Sequence, residues 1–168
     1  MNWFKIANNN NIVNKTKSIL KNNVFIKNLM KYYNIPEINI DNELDIVITE
    51  LDGQFAKGNK DKIFLDPKLF EGNFFEDNFH FVVHEFFHWL KRKYENRFYF
   101  NDPEEIQSFV VAIAWQLMNG KNEKEIERIM CPIIEGHYKN NEEAKKVFLK
   151  MFEEALKLVK SQKSDIRI

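Results

Sequence analysis

Between Phe79 and Leu90 the chain runs Phe-His-Phe-Val-Val-His-Glu-Phe-Phe-His-Trp-Leu, an apolar stretch broken only by three histidines and one glutamate. A segment this apolar has to be buried, and a buried segment must satisfy every polar group it carries. That requirement limits what the chain can fold into more than any other feature. On a helix, His84 and His88 project from one face, with Glu85 directly after the first of them. Two neutral imidazoles so placed can bind one Zn²⁺, leaving room for a third protein ligand and a water. Glu85 is then suited to accept a proton from that water as it attacks a carbonyl carbon.

The flanking sequence predicts an α+β chain forming one domain over residues 1–168. Apolar residues recurring from Ile12 to Tyr33 indicate an amphipathic N-terminal helix over 12–33, ended by Asn34-Ile35-Pro36 and preceded by a polar lead-in or helix cap at Asn8–Asn11. The period then changes: Leu44–Leu51 is rich in β-branched residues and reads as a strand, and Asp52-Gly53 as a turn. Gln54–Lys57 and Lys62–Leu65 flank Gly58-Asn59-Lys60-Asp61 as a hairpin stopped by Asp66-Pro67, so the sheet spans 44–66. The histidine helix is expected over 76–93. Further helices follow over 103–161: one started by Asp102-Pro103 and ended at Asn119-Gly120, one from Glu123 to Cys131 interrupted by Pro132, and a last one whose stripe Val147, Phe148, Met151, Phe152, Ala155, Leu156 and Val159 reads as core.

A third metal ligand is sought at the start of the helix after the motif. From Glu105, the residues three and seven further on are Ser108 and Ala112, both small; from Glu104 they are Gln107 and Val111. Small residues permit close approach of two helices, which favours Glu105, while Glu104 and Asp102 stay open as alternatives. Glu105 also fits a capping box with Asp102.

His84-Glu85-x-x-His88 followed by an acidic residue on the next helix resembles the zincin metallopeptidases of the gluzincin type, over roughly residues 44 to 118. Among small members, the chain is distantly similar to the ImmA/IrrE-like family, although it has Phe87 and Glu105-Ile106-Gln107-Ser108-Phe109 where that family carries a glycine and an acidic residue followed by Ala-Asn. The resemblance implies a minimal zincin-like fold, in which a small antiparallel-edged sheet packs on the active-site helix. It also implies hydrolysis of peptide bonds in a peptide or protein substrate, with His84, His88 and Glu105 on zinc and Glu85 as general base. By the same analogy Gln54-Phe55-Ala56 is the edge along which an extended peptide would lie. A metal-holding binding or regulatory module without catalysis, its cleft closed by Phe86, Phe87 and Trp89 or by a terminal segment, is the alternative, and a helical interaction protein whose motif is accidental is a third reading.

Other polar residues carry weaker signals. His80, one turn before His84, reads as a partly exposed structural histidine, because a helix drifts by about 40° over four residues and carries it off the metal axis. His137, Tyr138, Tyr94 and Tyr99 are possible oxyanion donors, and Cys131 reads as a small core residue. With 25 basic and 25 acidic side chains the net charge is zero, which offers no basic field for nucleic acid. A single cysteine, no signal-like apolar run and no stretch long enough for a bilayer make a cytoplasmic protein without membrane contact the expectation.

Overall fold

The computed structural model describes residues 3–59, 61–94, 104–136 and 140–164. The chain divides into two compact units, Met1–Tyr99 and Phe100–Ile168. Helices dominate, and the described strands form one small mixed sheet, an α+β composition.

In the first unit, helices α1 (Trp3–Asn22) and α2 (Val24–Tyr32) replace the single N-terminal helix expected over 12–33. The break falls at Asn23, whose extended backbone lets its side-chain oxygen accept from the amides of Phe25 (2.9 Å) and Ile26 (3.4 Å). Asparagine is among the best residues for that capping role, so a new helix starts there. The Asn8–Asn11 run is neither a lead-in nor a cap but lies inside α1. Asparagine costs a helix only about 0.7 kcal/mol per residue relative to alanine, and the turns that follow anchor Thr16 and Leu20 in the core.

A one-turn helix α3 (Ile40–Glu43) leads into β1 (Asp45–Ile48), followed by β2 (Ala56–Gly58) and β3 (Lys62–Leu65). The order is β1-β3-β2, with β1 parallel and β2 antiparallel to β3. Ile46 pairs with Ile63, and Gly58 with Ile63 on the other side, so these residues share one face of the sheet. Ile46 and Ile63 are buried on it. β1 is shorter than the strand expected over 44–51, and β2 sits later than expected, taking in Gly58, which the sequence placed in the connection.

Asp66 closes β3. Its carboxylate accepts from the amides of Leu51 (2.7 Å) and Lys68 (2.9 Å), tying the chain after β1 to the 3₁₀ turn Pro67–Phe70. Burial alone would raise this carboxyl, but the two amide hydrogen bonds and the Lys68 charge together hold it below the ordinary aspartate value.

Helix α4 (Phe74–Lys93) packs against β2, β3 and the 3₁₀ turn. Glu76 and Asp77 lie in its first turn and Lys91, Arg92 and Lys93 in its last, each set matching the helix dipole. Its body is buried on nearly every side: Phe79, Val82, Val83, Phe86, Phe87, Trp89 and Leu90 are all in the core. Phe87 meets Tyr33 at 5.4 Å between ring centroids, and Phe86 stacks with Trp89 at 5.7 Å. Burial pushes the Tyr33 phenol well above its usual range.

The second unit holds α5 (Glu104–Met118), α6 (Glu123–Glu135) and α7 (Asn141–Ser164). Both α5 and α6 pack on α7, and they also meet each other. α5 ends in a turn through Gly120 at φ +86°, where the Gly120 and Lys121 amides reach back to the Leu117 and Gln116 carbonyls. α6 opens with a reciprocal capping box between Asn122 and Glu125. Pro132 does not interrupt it as expected: the helix continues to Glu135, because Met130 and Ile134 on either side are both buried and outweigh one lost backbone hydrogen bond. On α7, Phe148, Met151, Phe152, Ala155 and Val159 are buried as expected of core, while Val147 and Leu156 are half-buried. No helix among the described residues is long and apolar enough to cross a membrane.

Candidate metal centre

His84 and His88 stand one turn apart near the middle of α4, at 9% and 5% exposure. Their Nε2 atoms approach to 3.0 Å, and the rings meet edge to face at 70° with centroids 4.7 Å apart. Two nitrogen lone pairs aimed at each other at that distance repel, so either one nitrogen is protonated and donates to the other, or both face a cation. Two nitrogens on one tetrahedral zinc are about 3.3 Å apart, given bonds of about 2.05 Å. The spacing and the donor type both fit a metal held by this pair.

Glu85 is half-buried beside them, on the flank of α4 that faces the sheet. Its carboxylate lies against the backbone of Gly58 in β2: a Cβ built on Gly58 would come within 2.6 Å of Glu85 Oε2. α4 thus positions three of the expected side chains from one turn, two imidazoles on one face and a carboxylate beside them.

Glu105 occupies the first turn of α5, in the second unit, and is half-buried. Ser108 and Ala112 are buried, but so are Gln107 and Val111, so burial does not separate the two glutamates' faces. The Glu104 side chain, Asp102, Tyr99, His137 and Tyr138 fall outside the described residues.

No family model, no curated protein and no solved structure matches the chain.

Among the remaining expectations, two need correction. His80 is not partly exposed but fully buried, at 1%, with its ring 4.2 Å from that of Phe81, because α4 is already enclosed from Phe79 onward. Cys131 is half-buried on α6 rather than in the core. Burial first, then the Glu127 and Glu135 carboxylates, push its thiol up, which leaves it a poor nucleophile. Tyr94 is the C-cap of α4, its amide donating to the Leu90 and Lys91 carbonyls.

Phe86, Phe87 and Trp89, proposed from sequence to close the cleft, are packed in the core. Gly58, expected in the connection between strands, lies instead in β2 against Glu85. A glycine inside a strand often marks close backbone approach, and that was the one signal available.

Proposed function

We propose that the chain is a metal-dependent peptidase, in which His84, His88 and Glu105 form the metal-binding set and Glu85 is the general base. The observation that carries this reading is the pair of buried imidazoles converging to 3.0 Å with a carboxylate on the adjoining residue. Imidazole and carboxylate donors in a two-to-one set suit zinc. When bound, such an ion supplies Lewis-acid chemistry, polarising a carbonyl oxygen and making water more acidic.

The chain's own residues then have separate tasks. His84 and His88 present neutral nitrogens from a rigid helix. Glu85 accepts a proton from the attacking water at its carboxylate and returns it to the leaving nitrogen of the cleaved bond. A zincin-type arrangement gives the sheet a role too, since β2 is an edge strand packed on α4 and an extended peptide would pair with its open side. Ala56, from the edge segment singled out in the sequence, belongs to that strand.

The low exposure of the two histidines favours a second reading, a metal-holding module without turnover. One experiment separates them. Full-length wild type and Glu85→Gln are assayed for metal content and for cleavage of a mixed-sequence quenched-fluorescent peptide library. The peptidase reading expects about one metal per chain in both proteins, and turnover that falls by about 10²- to 10⁴-fold in the variant. Metal in both with no cleavage by either leaves the binding module, and equal cleavage by both removes Glu85 from the chemistry.

A further inference from the structure

The two helix-facing positions of β2 are its two smallest residues. Side chains alternate along a strand, so Ala56 and Gly58 point to one face while the exposed Lys57 points to the other. Their partners on β3, Leu65 and Ile63, are large and fully buried. The same sheet face is therefore bulky at β3 and nearly bare at β2, and the bare part adjoins Glu85.

Gly58 is where the space runs out. A methyl group there would lie 2.6 Å from Glu85 Oε2, 3.7 Å from Cδ and 3.6 Å from the Glu85 carbonyl oxygen. Only the first distance is a clash, and the clashing atom is the end of a rotatable side chain. The helix backbone clears the methyl at ordinary contact distance. An alanine at 58 would thus leave α4 where it is and turn the carboxylate out of its place.

We infer that Gly58 is a positioning residue for Glu85: the absence of a side chain in the edge strand sets where the general base's carboxylate rests. This rests on the peptidase reading for its functional consequence, while the steric relation stands independently. Misplacing a reacting group by about 1 Å can cost about a hundredfold in rate without altering what is bound. Gly58→Ala should therefore lower kcat about a hundredfold, leave KM within about twofold, keep about one metal per chain and melt within about 4 °C of wild type.

The test pairs a crystal structure of full-length Gly58→Ala with its metal content and its kinetics on the library peptide that wild type cleaves fastest. A rotated Glu85 carboxylate with lowered kcat and unchanged KM and metal content supports the inference. A carboxylate that stays in place, or an unaltered kcat, overturns it. If wild type itself shows no turnover, the peptidase reading fails and the crystal structure alone decides whether Gly58 sets the carboxylate's position. Should Gly58→Ala fail to fold, the Gly58→Ala/Glu85→Ala double variant decides: restored folding supports the steric relation, and continued misfolding overturns it.

Discussion

Helices α4 and α7 are both long and both bury large aromatic residues, yet they answer to different demands. On α7 the buried face is apolar from Ala144 to Val159, and the other side is a run of exposed charges including Glu153, Glu154 and Lys157. Packing accounts for that pattern in full. α4 buries three histidines within a continuous apolar body, an arrangement that packing alone would disfavour. The difference teaches that apolar packing explains the α7 sequence, whereas it leaves the burial of His84 and His88 on α4 to be explained by something else.

Truncation inside α7 should do the most damage. Phe148→Ala is expected to cost about 3 to 5 kcal/mol by chemical denaturation, whether or not metal is present, because it leaves a cavity in a fully buried site. The corresponding change in α4 should depend on conditions. In zinc at about a hundred times its dissociation constant, wild type gains about 3 kcal/mol that His88→Ala lacks, and with chelator most of that gap closes. A gap of the same size with and without chelator would make the α4 histidines ordinary core residues and erase the contrast.

Smaller effects sharpen it at the edge of the first unit. Asp66→Ala should cost about 1 to 2 kcal/mol at neutral pH, since it strips the Leu51 and Lys68 amides of their acceptor. The folded-state pKa of Asp66 lies below its unfolded value, so this contribution is complete above the unfolded value and fades as pH falls through the folded one. Melting curves of the two proteins should accordingly converge in acid. Least of all, Val24→Ser on α2, at 58% exposure, should shift stability by less than about 0.5 kcal/mol.

Much of α4 was legible beforehand. The expected span of 76–93 differs from the observed helix by two residues at its start, because the apolar periodicity and the Lys91–Lys93 ending are local signals. The second hairpin strand, Lys62–Leu65, and the last helix were legible for the same reason, while β2 lies later than its expected Gln54–Lys57. What escaped depended on contacts distant in sequence or on competing local bonds. Asn23 breaks a helix whose apolar pattern runs straight through it, and Pro132 sits in one that burial holds together. Nothing in the local sequence relates Gly58 to Glu85, which are brought together only when β2 docks on α4.

The imidazole pair belongs to a single turn of helix, so its four-residue spacing is set by that helix alone. Its companion carboxylate does not travel so easily. Glu85 rests against a strand from outside the helix, at the one position where that strand has no side chain. A designer copying this arrangement into another scaffold would find the imidazole pair portable, and would have to import a piece of sheet to hold the carboxylate in place.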